Sequence, residues 1–234
     1  MTVEAAAMAT AMDLEARARR SLGASSGAIH RMVARACASH GPRGGRVIDV
    51  GCGGGALWPL LRDHFSTYCG LDAVRYDGFP AECEFGLVDL DAPVWPATRG
   101  PGDVVVAVET IEHLENPWAF MRNVAALAKP GGLVVVTTPN QLSLLNLLTL
   151  ATKRRFSSFQ DAHFPVHKTA LLESDVCRAA RQAGLDVIET GYSWHGRVPL
   201  SGGHYPQWLS RLAPRLLSDN VMIACRARGE RSPH

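Results

Sequence analysis

Val47-Ile48-Asp49-Val50-Gly51-Cys52-Gly53-Gly54-Gly55 is where the architecture of the chain becomes legible. The run Arg46 to Val50 reads as a short buried strand, and Ala56 to His64 reads as a helix, so the glycines occupy the turn between them. Glycines let the backbone turn tightly and let a ligand approach with no Cβ in the way. A bare Gly-x-Gly is a weak signal. Strand, loop and helix in this order make it a candidate ligand-binding loop.

The same alternation continues outward. Thr67 to Leu71 reads as a second strand, and Asp72 closes it 17 residues after Gly55. A carboxylate at that point is suited to accept hydrogen bonds from ribose hydroxyls. Glu84 to Val88 is a third strand, followed by Asp89, Leu90 and Asp91. Asp103 to Val108 is a fourth, almost wholly Val and Ala, as in a strand buried on both faces. Trp118 to Ala128 reads as a helix stopped by Lys129-Pro130-Gly131-Gly132, and Leu133 to Thr137 as a fifth strand. Ser174 to Ala183 is a helix, and Val187 to Tyr192 and Val221 to Arg226 are two more strands. Acidic residues often end strands as turn formers. Several of them at the carboxyl edges of successive strands point to the edge where open α/β sheets bind ligands. Ala5 to Arg20 and Ile29 to Ser39 read as two helices before the first strand, so residues 1–43 form a helical preface and residues 44–234 the main α/β domain.

Composition narrows the functional classes. The 234 residues carry a formal charge of +2, too near balance to support a broad phosphate-binding surface, although Lys153-Arg154-Arg155 could touch an anion locally. Six scattered cysteines include no C-x-x-C pair, which argues against a zinc knuckle or a disulfide framework and favours the reducing cytoplasm. The N-terminus has no basic, then apolar, secretory pattern. The apolar patch Leu142 to Leu150 is interrupted by Ser143, Asn146 and Thr149 and is too short to span a bilayer.

The chain resembles the class I S-adenosylmethionine-dependent methyltransferases. Asp49-Val50-Gly51-Cys52-Gly53-Gly54-Gly55 looks like that family's first motif, and Leu71-Asp72 looks like its ribose-binding acid. Val88-Asp89-Leu90 is similar to the segment that lies along adenine, and Val108-Glu109-Thr110-Ile111-Glu112-His113-Leu114-Glu115-Asn116-Pro117 resembles the fourth motif. The resemblance implies a Rossmann-like, doubly wound seven-stranded sheet, mainly parallel with an antiparallel last strand. It also implies a cofactor site at Asp49, Gly51, Cys52, Gly53, Gly55, Asp72, Asp89, Leu90, Val108 and Glu109. Asp49 would face the methionyl end. A nicotinamide dehydrogenase would want Gly-x-Gly-x-x-Gly, whereas this loop runs Gly51-x-Gly53-x-Gly55 with Ala56 next.

The acceptor side is less determined. Methyl transfer needs a base only when the acceptor is a hydroxyl, whose proton must leave as the O–C bond forms. His113, beyond the fourth strand, and His163 and His167, after the fifth, are the candidate bases. Together they favour an oxygen acceptor on a small molecule such as a sugar, a quinone-like ring or a natural-product intermediate, by analogy with ubiquinone-biosynthesis and tailoring enzymes. Glu109-x-x-Glu112-His113 with a downstream histidine also resembles the metal-binding set of RNA 3′-end 2′-O-methyltransferases. The small-molecule reading assigns no metal, and near-neutral charge without an RNA-binding module argues against nucleic acid. A non-catalytic subunit that activates a partner is the other alternative; the intact glycine loop speaks against it. Two insertions, near 141–168 and 193–217, belong to the substrate side. The leucines of the first form an apolar wall or a helix packed on the sheet. The aromatics of the second, Trp194, His195, His204, Tyr205 and Trp208, form a lid over the acceptor or a homodimer contact.

Overall fold

A computed structural model describes residues 25–95, 100–161 and 164–229. The helix expected over Ala5 to Arg20 lies outside the described residues. The other expected helix of the preface is α1 (Gly27–His40). There follow β1 (Arg46–Val50), α2 (Trp58–Leu61), β2 (Thr67–Asp72), β3 (Glu84–Leu87), β4 (Gly102–Ala107), a single 3₁₀ turn (Ile111–His113) and α3 (Pro117–Ala126). The chain continues through β5 (Ala128–Pro139), α4 (Leu144–Lys153), α5 (Glu173–Gln182), β6 (Leu185–Tyr192), α6 (Gln207–Leu212) and β7 (Asn220–Ala227).

The strands form one seven-stranded sheet in the order β3-β2-β1-β4-β5-β7-β6. β7 runs antiparallel between β5 and β6, and the pairings from β3 through β5 are parallel. This is the mainly parallel, doubly wound sheet with an antiparallel last strand that the sequence implied. The chain winds outward from β1 through β3, then returns to β4 on the other side of β1. Such a switch opens a crevice at the carboxyl ends of β1 and β4, where ligands of open α/β sheets bind.

Alternation along the central strands builds two apolar layers. Val105 and Ala107 of β4 join Ile48, Val134, Phe120 and Val124 on one face. Val104 and Val106 join Val47, Val135, Val33 and Leu61 on the other. Helices cover both faces, so the central strands read as unbroken apolar runs. Burying each such side chain contributes about 1.5–3 kcal/mol, and it is this burial that fixes the strand register.

Three local readings are corrected. The helix after the glycine loop is one short turn, Trp58–Leu61, not the nine-residue span from Ala56 to His64. Lys129-Pro130-Gly131-Gly132 does stop α3, but as an irregularity inside β5: Gly102 pairs with Ala128, and Val104 pairs with Leu133. The third correction concerns α4, which turns its polar residues inward. Asn146 and Thr149 are buried, while Leu147, Leu148 and Leu150 are exposed. Leu147, Leu148 and Leu150 therefore form neither a pocket wall nor a packed face, while Leu144 and Leu145 are partly buried. The Asn146 amide explains the inversion: it donates to the Asn140 carbonyl at 2.7 Å and accepts from the Ser157 N–H and hydroxyl, each at 2.7 Å. Asn146→Ala would leave these partners unsatisfied, and we expect a loss of about 2–4 kcal/mol in urea unfolding. A loss below about 0.5 kcal/mol would show that the buried amide does not hold this segment.

Candidate active site

A cavity of about 400 Å³ opens at the carboxyl edge, over β1, β2 and β4. Of the residues expected from sequence, Asp49, Gly51, Cys52, Asp72, Asp89, Leu90, Val108, Glu109, His113 and His167 line it. Gly53 and Gly55 do not. They shape the loop from behind: the Gly53 N–H donates to Asp72 Oδ2 at 2.9 Å, and a Cβ on Gly55 would meet Pro80 at 2.6 Å. His163 lies outside the described residues. Ile29 and His30 of α1 also border the cavity, as the helical preface suggested, whereas Met32 is buried in the core.

Gly51 is the tightest point of the loop. Its φ is +71°, a region open to glycine, and a Cβ would sit 2.3 Å from Thr110 Oγ1. Thr110 Oγ1 in turn donates to the carbonyl of Val50 or of Val108, at 3.2 and 3.1 Å, which ties the β1 loop to the end of β4.

Two carboxylates line the cavity from the carboxyl ends of β1 and β2. Asp72 accepts from the Gly53 and Ala73 N–H groups at 2.9 and 2.7 Å. Burial pushes its carboxyl up, and these backbone donors oppose the rise. Asp49 accepts from the Tyr68 hydroxyl at 2.5 Å through Oδ2, while its buried Oδ1 has no hydrogen-bond partner among the described residues. Burial drives the Asp49 carboxyl up to about 7, the Tyr68 bond pulls it down, and the charge of Asp72 adds to the rise. An unpartnered carboxylate oxygen in an enclosed site calls for a cationic or donor group from a ligand.

The wall beyond β4 is held by a backbone staple. The Glu112 carbonyl accepts from the N–H groups of Lys168 and Thr169 at 2.9 and 3.0 Å, which draws the 165–169 segment onto the 3₁₀ turn. His113 and His167 then meet, ring centroids 4.8 Å apart. His113 Nδ1 lies 2.8 Å from the Val166 carbonyl, and His167 Nδ1 lies 2.6 Å from the Ser158 carbonyl. A carbonyl partner requires the proton on Nδ1, so in each neutral ring Nε2 carries the lone pair. Burial lowers the affinity of His113 for a second proton, with the carbonyls of Val166 and Glu109 opposing.

Glu109 and Glu112 are buried close together. Burial first, and then the charge of Glu112, hold the Glu109 carboxyl well above its usual range. Burial raises Glu112 to about 8, against its own backbone N–H and the Thr138 hydroxyl. Both Glu109 oxygens are engaged, by the Thr137 hydroxyl at 2.9 Å and the Asn220 amide at 2.7 Å. Glu112 accepts from Thr138 at 3.2 Å through Oε2, and its buried Oε1 has no partner among the described residues. The four-residue set suggested by sequence thus contracts to three: Glu112, His113 and His167 bring ligand atoms within 4.8 Å of one another.

Sequence reasoning missed Ala73, Leu114, Pro165 and Lys168 on the cavity wall. Only Lys168 carried a local signal, as a lone cation in an aromatic segment. It pairs with Glu115 at 2.6 Å. His195 and His204 pack together, ring centroids 3.9 Å apart, and neither they nor Trp194, Tyr205 and Trp208 line the cavity, so the expected lid is not a wall of this site.

Cavity size, glycine loop and paired acids make this a candidate cofactor site on a class I methyltransferase fold; sites for small molecules and cofactors run roughly 300–1,000 Å³. A family model described as "Methyltransferase domain" matches residues 18–190, and the chain belongs to this methyltransferase family. S-adenosylmethionine is its cofactor. A ubiquinone biosynthesis O-methyltransferase of Burkholderia pseudomallei (strain 1710b) is 30% identical over 193 residues, 78% of each chain. One from Caulobacter sp. (strain K31) is 38% identical over 115 residues, but that match spans only 45% of this chain and 44% of the relative. The N-methyltransferase NodS of Bradyrhizobium japonicum WM9, solved with S-adenosyl-L-homocysteine, superposes with a TM-score of 0.55 at 16% identity over 86% of both chains. A methyltransferase complexed with the Haloferax volcanii Trm112 activator gives 0.60 at 19% identity, over 88% of this chain and 92% of that one. At such identities these structures speak for the fold alone.

Proposed function

We propose that this chain methylates a hydroxyl oxygen of a small-molecule acceptor: a sugar, a quinone-like ring or a natural-product intermediate. The observation that carries the reading is a single cavity lined both by the Asp49–Asp72 acids and by the Glu112–His113–His167 cluster. The O-methyltransferase names of the relatives support oxygen over nitrogen.

In this reading Asp49 Oδ1 receives the ammonium of the methionyl group, Asp72 the ribose hydroxyls, Asp89 and Leu90 the adenine, and Val108 and Glu109 the floor. S-adenosylmethionine supplies a methyl group on a sulfonium whose sulfur leaves neutral, so no acid is needed. The protein's work is orientation, exclusion of water and removal of the acceptor's proton. That last task falls to the cluster holding His113 and His167, with His163 a further candidate on sequence grounds. The reading places the protein in the cytoplasm; among the described residues no helix is long and apolar enough to cross a membrane. The 193–217 aromatics remain our candidate for a homodimer contact.

Two binding predictions follow the acids. Asp72→Ala should weaken S-adenosylhomocysteine binding by about 1–3 kcal/mol, and unchanged affinity would remove Asp72 from the ribose site. With Asp49 near 7 in the free protein, a bound ammonium favours its ionised form and pulls that value down. Binding near neutral pH should therefore release a fraction of a proton, read as an enthalpy that varies with buffer ionisation heat. A buffer-independent enthalpy would separate Asp49 from the ligand's cation.

The reading is tested by incubating the protein with S-adenosylmethionine and panels of hydroxyl- and amine-bearing acceptors. O-methyl products formed one for one with S-adenosylhomocysteine support it. Products methylated only at nitrogen or carbon overturn it.

A further inference from the structure

Positive charge collects around Trp194, between α1 and α6. The Arg35 Cζ lies 4.6 Å from the centre of its ring, and the Arg211 Cζ lies 4.8 Å away. Arg31, one turn before Arg35 on α1, adds a third guanidinium. Burial first, and then the charges of Arg211 and Arg31, make Arg35 less basic than usual, with Glu189 opposing. The nearby carboxylates are engaged elsewhere: Glu189 lies 2.7 Å from His40 Nε2, and Asp219 takes Arg197 at 2.6 Å. None of the described carboxylates forms an ion pair with Arg31, Arg35 or Arg211. Four guanidiniums thus face two carboxylates, and stacking on an aromatic ring does not cancel charge. Trp194 sits at φ +52°, an outlier for so bulky a residue, so the fold holds its ring against these arginines despite backbone strain.

The cluster is tied to the cavity from two sides. Arg31 and Arg35 follow His30, a cavity residue, by one and five positions, about 1.5 and 7.5 Å further along the helix axis. On the other side, the Asn220 amide donates to Glu109, another cavity residue, while the Asn220 carbonyl accepts from the Ser193 N–H at 3.2 Å, next to Trp194. We propose that Arg31, Arg35 and Arg211 bind a phosphate group carried by the acceptor, beside the cavity that receives its hydroxyl. The proposal rests on the hydroxyl-acceptor reading and narrows it to phosphorylated acceptors, a sugar phosphate being the form that fits both halves. Guanidiniums are planar forks that match phosphate oxygens two at a time. An excess of two positive charges suits the dianion of a phosphate monoester better than a single carboxylate. A phosphate held there fixes the acceptor away from its reacting oxygen, so the arginines position the substrate and take no part in the chemistry.

The test is calorimetric titration of the full-length protein with inorganic phosphate, with ionic strength held constant by chloride. We expect one site per chain, and affinity at least about tenfold weaker in the double variant Arg35→Gln with Arg211→Gln. Arg178→Gln, on the exposed surface of α5 and paired with Asp175, should bind as the wild type does. Near-ultraviolet circular dichroism checks the fold of the variants. No saturable binding, equal binding by the folded double variant, or tighter binding of succinate, a dicarboxylate of the same charge, overturns the proposal. With a methylated acceptor in hand, the KM of its phosphorylated form should rise at least about tenfold in the double variant while kcat stays within about twofold. Methylation confined to acceptors without phosphate also overturns the proposal. S-adenosylhomocysteine binding is measured in parallel. If the nucleoside binds and phosphate does not, the anion site falls and the methyltransferase reading stands. If phosphate binds at these arginines but methylation occurs only at nitrogen or carbon, the anion site stands and the O-methyl reading falls.

Discussion

His113→Ala should lower turnover about 10²–10⁴-fold while leaving S-adenosylhomocysteine affinity within about twofold of wild type. The separation follows from the roles of the two groups. His113 clusters with Glu112 and His167, apart in sequence from the Asp49 and Asp72 acids, and all five residues line the one cavity; in the proposed function the first group serves the acceptor and the acids serve the cofactor. The His113 side chain is held by the Val166 carbonyl, so truncation removes a fixed imidazole and no part of the glycine loop. Single-turnover rates with saturating S-adenosylmethionine, together with the nucleoside affinity, read the two effects apart. Full activity in the variant would move the acceptor away from this cluster. A parallel loss of rate and nucleoside affinity would mean that the histidine supports the cofactor instead.

Gly51→Val should abolish measurable nucleoside binding and cost the fold about 3 kcal/mol or more. Two effects add. A β-branched residue at φ +71° is strained by about 1–2 kcal/mol, and its Cβ would lie 2.3 Å from Thr110 Oγ1, far inside contact distance. Thr110 cannot retreat freely, because its hydroxyl is held against the Val50 and Val108 carbonyls, donating to one or the other. The loop must shift, and Gly53 then loses register with Asp72. Urea unfolding gives the stability change, and calorimetry gives the binding change. Gly54→Ala is the contrast: nothing lies within 4 Å of a Cβ there, so we expect near-wild-type behaviour. Equal effects at the two glycines would contradict a loop shaped by Gly51.

Local chemistry explains which parts of this structure the sequence disclosed. The glycine loop and Asp72 were legible because close backbone approach and a strand-end acid leave marks within a few residues of each other. The unbroken β4 run from Val104 to Ala107 announced two-sided burial directly. The pairing of His113 with His167 was not legible, since it depends on the Glu112 carbonyl capturing two N–H groups of a segment more than 50 residues away. Both histidines could be named, but their juxtaposition could not. Helix α4 misled for the opposite reason. Its leucines read as a buried stripe, yet the Asn146 network outweighed them and fixed the helix with its polar side inward. Glu109 carried a motif position, but only the structure reveals that Thr137 and Asn220 occupy both of its oxygens.

The most direct test of the central claim is titration calorimetry of the purified protein with S-adenosylhomocysteine, before and after stripping divalent metals, with NADH as control. Saturable binding of the nucleoside in both states, lost in Gly51→Val and absent for NADH, is the expected result. No binding of the nucleoside, or binding of NADH in its place, would contradict the assignment of this cavity to S-adenosylmethionine and everything built on it.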